Sequence, residues 1–422
     1  MSVDRPQMSP RMSNVVRNGS QGGDGAPTPR RPQHVGFVHD WLPTYAGAER
    51  VLEQMIHEYP EAKLYSLIDT LPDDQRAFLQ GLPVTTSFLQ RLPFVNRFYR
   101  QYLPLAPLAI EQFDLSEHDV VVSSNYAVAK GVVTRADQLH ISYVHSPVRY
   151  AWDLYHEYLD RSGWNWGLRS VLARLVLHYL RLYDVSTASR VDVYVANSNY
   201  VAQRIWKTYR RRAHVIYPPV DVDRFALTHE KEDYYLTLSR LVPYKRVDLI
   251  VEAFNELPDK QLIVIGDGPE ADALARRAGP NVTLMGYQPE AAVAHYMERA
   301  RAFVYAAEED FGIVPVEAQA CGTPVIAYGR GGVCETVVPG RTGILYPEQT
   351  VSSLSAALLQ FEETADQFDP EIIRAQAERF DIPVFREQFS NLVQASYTDF
   401  VEGARPVLSE HSEQSLVSAS VS

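Results

Sequence analysis

The chain has 422 residues, of which 46% are apolar and 22% charged, and its formal net charge is −12. That length accommodates two domains of ordinary size, and the acidic balance argues against a general nucleic-acid-binding protein, because no overall positive field attracts phosphates. Two cysteines without a disulfide framework fit a reducing compartment, and no apolar run approaches the roughly 18 residues that cross a bilayer, so we expect a cytoplasmic protein.

Strand-like runs alternate with helical patterns along most of the chain, which predicts parallel sheets covered by helices on both faces. Disordered tails are predicted at residues 1–33 and 405–422, where small and polar residues dominate. The predicted strands are His34–His39, Lys63–Ile68, Asp119–Ser123, His140–His145, Val191–Ala196 and His214–Tyr217 in the first half, and Tyr234–Ser239, Gln261–Gly266, Val282–Gly286, Ala302–Ala306, Pro324–Tyr328 and Gly343–Tyr346 in the second.

Pro218-Pro219 and the polar stretch that follows them separate the two halves. The predicted fold class is therefore α/β, with two doubly wound Rossmann-like domains and a cleft between them. We place the first domain at residues 34–217 and the second at 218–385. One long final helix is predicted over Ile382–Val401, and its segment from residue 386 to 404 is a candidate to pack back on the first domain.

Two candidate site residues fall at strand ends of the first domain. Gly47 lies in the turn after His39, where it would let backbone amides approach an anion at a helix start. His145 ends a strand and precedes Ser146-Pro147, which directs it to the crevice where open α/β sheets bind ligands. A routine strand-to-helix turn and a structural histidine are the alternative interpretations.

The second domain carries two cations beside a helix start. Arg240 and Lys245 bracket a proline turn before the predicted helix Val247–Asn255. Arginine forms a fork and lysine a point charge, so together they suit a diphosphate; the alternative is a solvated charge cluster.

Glycine-rich loops follow two further strands of the second domain, with Gly266 and Gly268 in one and Gly331 and Gly332 in the other. The first loop lacks the third glycine of the dinucleotide fingerprint, which argues against a Rossmann oxidoreductase. Asp221-Val222-Asp223 has no third ligand nearby, so we interpret it as a turn or helix cap rather than as a metal site.

The most informative segment carries Glu309 and Glu317, eight positions apart around Phe311-Gly312. The run Ala302–Ala306 before it predicts a buried strand, and a helix is predicted from Val314. Carboxylates at this crossing suit ligand hydroxyls, while the helix amides suit an anion. A paired acid–base dyad, as in glycoside hydrolysis, is the competing interpretation.

Taken together, these segments resemble the retaining, nucleotide-sugar-dependent glycosyltransferases of family four, which have the GT-B fold. The resemblance covers roughly residues 34 to 402, and its most specific part runs from Glu309 to Ala327. Ser239-Arg240-Leu241 with Lys245, the Gly266–Glu270 loop and Gly331-Gly332 fall in the family's order and spacing.

The resemblance implies an acceptor-side first domain, a donor-binding second domain and a role for each candidate residue. Arg240 and Lys245 would hold the donor diphosphate, Glu317 the ribose, and Glu309 and His145 would lie near the transferred sugar. The other implied donor contacts are the backbone amides of Phe311, Gly312 and Ile313 and the glycines Gly47, Gly266, Gly268, Gly331 and Gly332. The family's first-domain loop usually has two adjacent glycines, but here Ala46 replaces the first.

The resemblance also implies a reaction that retains the anomeric configuration. A covalent enzyme intermediate and attack on the same face as the departing diphosphate are the two possible routes, and the lack of an obvious nucleophilic carboxylate favours the second. We expect no metal and no other cofactor. The implied donor is GDP-mannose and the implied acceptor a polyprenyl- or otherwise lipid-linked saccharide of cell-surface polysaccharide synthesis. A UDP-sugar donor, a sugar-nucleotide epimerase and a non-catalytic nucleotide-sugar binder remain alternatives.

A lipid-linked acceptor calls for a membrane-facing surface on the first domain. The segment Phe88–Arg100 mixes aromatic side chains with three arginines, and Leu168–Tyr183 has a helical pattern with Arg174, His178 and Arg181 on one face. Basic amphipathic segments lie on anionic lipid surfaces, which would put the protein on the inner face of the cytoplasmic membrane. A core-packed helix with a solvated basic face is the alternative.

Overall fold

The computed structural model describes residues 31–149, 151–153 and 167–403. The predicted tails fall outside this range apart from residues 31–33, so the structure gives no account of residues 1–30 and 404–422.

The first domain is built on a parallel seven-stranded sheet with the strand order β3-β2-β1-β4-β5-β6-β7. The order reverses between the neighbouring strands β1 and β4, so a crevice opens beyond their carboxyl ends. The strands are β1 (Val35–His39), β2 (Lys63–Ser66), β3 (Val84–Thr86), β4 (Val120–Asn125), β5 (Leu139–Val144), β6 (Val193–Ala196) and β7 (Ala213–Val215).

The second domain repeats this plan with six parallel strands in the order β10-β9-β8-β11-β12-β13. Its order reverses between β8 and β11, which carries the loops after residues 238 and 305 to the crevice. The strands are β8 (Tyr235–Leu238), β9 (Leu262–Ile265), β10 (Val282–Gly286), β11 (Ala302–Tyr305), β12 (Val325–Tyr328) and β13 (Gly343–Tyr346).

Helices cover both sheets. They are α1 (Gly47–Glu58), α2 (Val95–Phe98), α3 (Ala106–Ile110), α4 (Leu168–Ser186), α5 (Asn199–Tyr209), α6 (Val247–Asn255), α7 (Ala271–Arg277), α8 (Glu290–Arg299), α9 (Ile313–Ala320), α10 (Val333–Thr336), α11 (Val351–Thr364), α12 (Pro370–Glu378) and α13 (Ile382–Gly403). Among the described residues, no helix combines the length and the apolar character needed to cross a membrane.

The predicted α/β class with two doubly wound domains is confirmed, and each predicted strand is present with ends that differ by no more than two residues. The structure also contains β3, which was not among the predicted strands. This strand has three residues at the edge of the sheet, and none of them is fully buried. It therefore lacks the continuous apolar run that marks the central strands.

The last helix, α13, returns to the first domain. Phe385, Phe389 and Val393 are buried in the same core as the first strands, and the ring centroids of Phe385 and Tyr143 are 6.1 Å apart. The Arg386 guanidinium donates to the Gln54 side chain on α1 at 2.8 and 2.6 Å. The described part of the chain thus starts in the first domain and returns to it through α13, and the predicted boundary at residue 385 falls inside this helix.

Candidate functional site

Two helix starts face each other across the cleft between the domains. Gly47 is the first residue of α1, and a β-carbon added to it would lie 3.3 Å from Cδ1 of Ile313, the first residue of α9. Helix α9 follows Gly312, whose φ of +84° turns the chain sharply, and none of the described side chains caps this helix. Amides in a first helical turn lack intrahelical acceptors and carry partial positive charge, so the two starts together suit an anion.

Lys245 and Glu309 meet at this crevice from the loops after β8 and β11. The Lys245 Nζ lies 2.5 Å from Oε1 of Glu309, and the other carboxylate oxygen accepts from the Tyr305 hydroxyl. Burial acts to raise the pKa of Glu309, but Lys245, the Tyr305 hydrogen bond and Arg149 outweigh it and hold the pKa below its usual range. Glu309 is therefore an ionised carboxylate with both oxygens engaged.

Arg240 differs from Lys245, although both were predicted for the same task. The Arg240 side chain is exposed, and within the described parts of the chain it has no hydrogen-bond or ion-pair partner. An unpaired guanidinium is available to an incoming anion without breaking a contact.

The four loop glycines allow close contacts between site loops. A β-carbon on Gly268 would lie 2.3 Å from the Leu241 carbonyl oxygen, so the glycine loop supports the loop of Arg240 and Lys245. A β-carbon on Gly332 would lie 2.4 Å from Cα of Phe311. Gly266 and Gly331 make the matching contacts with the backbones of Ser239 and Glu309.

The predicted backbone contact at Phe311 comes with a core role for its side chain. Phe311 is buried, and its ring lies 5.8 Å from that of Tyr217 and 5.6 Å from that of Phe380. The side chain therefore anchors the turn, while its backbone remains beside the start of α9.

Glu317 lies one turn into α9 and is paired with two arginines. Its Oε1 is 2.8 Å from Nη1 of Arg50, on the first domain, and 3.2 Å from Nη2 of Arg224. The Glu317 side chain is only 6% exposed, so a ribose that binds this carboxylate must share it with at least one of these cations.

His145 lies at the carboxyl end of β5. Its Nε2 is 2.8 Å from Oγ of Ser124 on the neighbouring strand, and its main-chain oxygen accepts from the Asn197 amide at 2.8 Å. Burial lowers the pKa of His145 to about 3, with a smaller contribution from His39. The ring is therefore neutral at physiological pH and acts through hydrogen bonds rather than as a cation.

Asp310 joins the domains beside these residues. Its carboxylate is 2.5 Å from Nη1 of Arg204 and 3.6 Å from Nη1 of Arg149, both on the first domain. The Ser198 hydroxyl donates to its main-chain oxygen at 2.6 Å. The site loop of the second domain is thus held against the first domain by charged contacts.

Two family models match the chain. Glycosyltransferase Family 4 matches residues 45–224, and Glycosyl transferases group 1 matches residues 220–378. The matches meet just after the Pro218-Pro219 linker and correspond to the two domains in order. The two halves of the chain are thus similar, in order, to two domain families of glycosyltransferases. The predicted GT-B fold and the resemblance to glycosyltransferases are confirmed.

Solved GT-B structures share this architecture. HepE from Anabaena, crystallised in complex with UDP, gives a TM-score of 0.63 at 19% identity, covering 86% of this chain and 100% of that one. Sucrose-phosphate synthase from Thermosynechococcus elongatus gives a TM-score of 0.65 at 16% identity, covering 86% and 98%. At these identities the likeness concerns the fold.

Curated relatives match part of the chain. The GDP-mannose-dependent alpha-(1-6)-phosphatidylinositol monomannoside mannosyltransferase of Mycolicibacterium smegmatis is 33% identical over 201 residues, which are 40% of this chain and 52% of that protein. The D-inositol 3-phosphate glycosyltransferase of Kribbella flavida is 32% identical over 210 residues, covering 42% and 50%. The chain spans about half the length of the curated relatives it matches.

The GT-B cleft contains partners that the sequence analysis did not single out: His39, Glu49, Arg50, Ser124, Arg204 and Asp310. Arg50 lies one turn beyond Gly47, and this position at the head of α1 was the one available signal. Its pairing with Glu317 joins residues 267 positions apart, which no local pattern reveals.

Asp221 and Asp223 do not form a metal site in the structure. Asp221 precedes a short 3-10 turn, Val222–Arg224, and the Asp223 carboxylate lies 3.6 Å from Arg374. Across residues 31–149, 151–153 and 167–403, no group of three or more His, Cys, Asp or Glu side chains is arranged to hold a metal ion.

Proposed function

We propose that this protein is a retaining glycosyltransferase that moves mannose from GDP-mannose to a lipid-linked saccharide acceptor. The observation that carries the proposal is the Lys245–Glu309 pair, with its 2.5 Å contact, beside the facing starts of α1 and α9. The match to a GDP-mannose-dependent mannosyltransferase supports the choice of donor.

The donor diphosphate binds between the helix starts at Gly47 and Ile313 in this proposal. Arg240, which is exposed, and Lys245, which is held by Glu309, neutralise the charge that develops on the leaving diphosphate. Glu317 binds the ribose hydroxyls. Because cations and helix dipoles supply this stabilisation, the proposed reaction needs no metal ion.

The transfer proceeds on one face of the sugar. The bond between the anomeric carbon and the diphosphate oxygen breaks, the acceptor oxygen bonds to that carbon from the same side, and the acceptor proton passes to the departing phosphate oxygen. Glu309 is already bound through both oxygens to Lys245 and Tyr305. It therefore positions the sugar and is poorly placed to become a covalent nucleophile.

A donor screen tests the proposal. We expect GDP-mannose and GDP to raise the melting temperature, because a ligand that binds the folded state stabilises it. With a lipid-linked acceptor, proton NMR of the product should show the donor's anomeric configuration, with activity unchanged by a chelator. Stabilisation by UDP-glucose alone would reassign the donor. A product with inverted anomeric configuration would refute retention. Activity that the chelator abolishes and a divalent ion restores would refute metal independence.

The same donor incubated with the protein alone separates transfer from epimerisation. Chromatography or NMR identifies the sugar, whereas mass spectrometry does not, because epimers have equal mass. A changed sugar without acceptor would favour an epimerase, and binding without turnover of any acceptor would favour a non-catalytic binder.

A membrane-facing surface is the second part of the proposal, and helix α4 carries it. The face of α4 that points away from the core exposes six apolar side chains, Val171, Leu172, Leu175, Tyr179, Leu182 and Val185. Arg174 and His178 are exposed beside them, while Arg181 is half-buried and donates to the Ala151 carbonyl at 3.0 Å. The exposed face is thus mainly apolar, unlike the solvated basic face considered from sequence.

The segment Phe88–Arg100 lies on the same domain and adds cations to this surface. Phe94 is 76% exposed, and Arg91, Arg97 and Arg100 are exposed around it. Leu103, which follows this segment, packs on the buried side of α4. Exposed apolar side chains beside arginines suit an anionic lipid surface.

Flotation with anionic vesicles tests the membrane contact. We expect the protein to float, and we expect Leu175→Ser with Leu182→Ser to abolish flotation, because these side chains are 60% and 59% exposed. Leu359→Ser is the matched control, since Leu359 is 50% exposed on α11 of the second domain. No flotation of the unaltered protein, or an equal loss in the control, would contradict a contact through α4.

A further inference from the structure

A continuous chain of hydrogen bonds connects the start of α1 to the ring of His145. Oε1 of Glu49 lies 3.3 Å from Nε2 of His39, Nδ1 of His39 lies 2.9 Å from Oγ of Ser124, and that oxygen lies 2.8 Å from Nε2 of His145. His39, Glu49 and Ser124 are buried. Water therefore does not interrupt the chain, and its members must satisfy one another.

The chain has one consistent direction when Glu49 is ionised and each imidazole carries one proton. An ionised Glu49 only accepts, so His39 donates from Nε2 and its Nδ1 accepts from the Ser124 hydroxyl. Serine has a single hydroxyl hydrogen, so the Ser124 oxygen accepts from Nε2–H of His145. This leaves Nδ1 of His145 unprotonated.

Two observations fit this direction. Burial lowers the pKa of His145 to about 3, so the ring keeps a single proton at physiological pH. None of the hydrogen bonds among the described residues reaches its Nδ1. The ring therefore has a free acceptor nitrogen in the first-domain wall of the cleft.

We propose that Glu49 is a positioning residue that acts through His39 and Ser124 to hold His145 in the Nε2–H tautomer. Nδ1 of His145 then accepts a hydrogen bond from a hydroxyl of the transferred sugar. This inference rests on the proposed function, in which His145 lies beside that sugar. In the opposite tautomer Nδ1 would carry a hydrogen and could not accept from the hydroxyl.

Glu49→Gln should reverse the chain without breaking it. The second carboxylate oxygen of Glu49 accepts from the Ala46 amide at 3.0 Å, so a glutamine must keep its carbonyl oxygen there. Its amide group then faces Nε2 of His39 and donates to it. His39 must donate from Nδ1 to Ser124, Ser124 must donate to Nε2 of His145, and the proton of His145 moves to Nδ1.

Nitrogen-15 NMR of the histidine-labelled protein measures this directly, because protonated and unprotonated ring nitrogens resonate far apart. A His145→Gln variant assigns the signals. We expect Nε2–H for His145 in the unaltered protein and Nδ1–H in Glu49→Gln. Glu53→Gln is the control on the same helix: Glu53 accepts from the Tyr45 hydroxyl at 2.7 Å and is outside the chain.

The inference is wrong if His145 of the unaltered protein carries its proton on Nδ1, or if Glu49→Gln leaves the tautomer unchanged. It is also wrong if Glu53→Gln reverses the tautomer equally. These readings need no substrate. A reversal in a protein that transfers no sugar would refute the proposed function alone.

Turnover then tests the consequence. We expect Glu49→Gln to lower kcat roughly 10- to 100-fold, the effect of losing one strong hydrogen bond, while the affinity for GDP stays unchanged. Unchanged kcat with a reversed tautomer would contradict the role of Nδ1 in holding the sugar. A matching loss of GDP affinity would indicate a general disturbance of the cleft instead.

Discussion

At the scale of single residues, the site depends on how each charge is compensated. Lys245 is bound by Glu309 and is 12% exposed, whereas Arg240 is exposed and unpaired within the described residues. Holding one cation in place and leaving another free suits a ligand whose negative charge increases during the reaction, since the fixed cation needs no reorganisation.

Lys245→Met and Arg240→Met should each remove about 2–4 kcal/mol of transition-state stabilisation, or roughly 30- to 1,000-fold in kcat. Steady-state kinetics with the donor found in the screen measures the loss. Lys260→Met is the control. Lys260 precedes β9 at the end of the sheet opposite the cleft, and its ammonium lies 3.1 Å from the Glu362 carboxylate. Full turnover in both folded variants would refute the assigned roles.

Buried histidines should make the fold sensitive to acid. Burial lowers the pKa of His140 to about 4, below the ordinary value of about 6.5. Between these values the unfolded chain binds more protons than the folded chain, so stability falls as pH falls, by up to about 1.4 kcal/mol per pH unit for each such group.

Urea unfolding at several pH values between about 7 and 4.5 checks this expectation. His140→Gln should flatten the pH dependence, although it also lowers stability at every pH by disturbing the bonds to Ser123 and the Arg190 carbonyl. His57→Gln, at an exposed position of α1, should leave the slope unchanged. An unaltered slope in His140→Gln would show that this ring does not titrate as inferred.

At the scale of elements, the site is a set of loops held by close backbone contacts. The turn before α9 rests on Gly331 and Gly332, and the Gly332 amide donates to the Glu309 carbonyl at 2.8 Å. These glycines were predicted as donor contacts. Their packing gives them a second, purely structural reason to be glycine.

Gly332→Ala should destabilise the protein by about 1–3 kcal/mol, the usual effect of forcing a group into packed space. Its φ of −65° is one that alanine adopts without strain, so the effect comes from the clash with the Phe311 and Asp310 backbone. Gly403→Ala, where the added carbon meets nothing within 4 Å, is the control. Equal midpoints for both variants in urea would exclude the clash.

At the scale of the whole molecule, charged contacts hold the two domains together around the cleft. Besides Asp310, Glu335 on the second domain accepts from the backbone amides of Asn199 and Tyr200 at 2.8 and 2.9 Å. Helix α13 crosses back to the first domain. Ion pairs and hydrogen bonds thus hold the two domains against each other at the cleft, and α13 connects them a second time.

Arg204→Gln should loosen the closed arrangement, because it removes the 2.5 Å partner of Asp310 and leaves Arg149 at 3.6 Å. We expect a larger radius of gyration by small-angle X-ray scattering and a raised KM for the donor. Arg277→Gln removes a pair within the second domain, with Glu252 at 3.3 Å, and should change neither. If Arg204→Gln and the unaltered protein had the same radius of gyration, both with and without donor, the Arg204–Asp310 pair would have no part in holding the domains together.

The sequence alone was enough to predict the two doubly wound sheets, and it indicated which loops follow their strands. Parallel strands buried on both faces appear as short apolar runs between helical patterns, and a loop after such a strand lies at the crevice by topology. Glu309, Lys245 and Gly312 stood out as candidates because their local pattern and their place at a strand end agree, and their roles stay predictions.

Tertiary structure alone decided which side chains meet. Arg50 pairs with Glu317 across 267 residues, and Ser124 joins two histidines from neighbouring strands. It also decided which face of α4 stays exposed. Leu103 and Trp152 pack against one face, so the apolar side chains of the opposite face remain exposed. Hydrogen-bond direction and ion pairing depend on distances of a few ångströms, and these are set only when distant segments pack together.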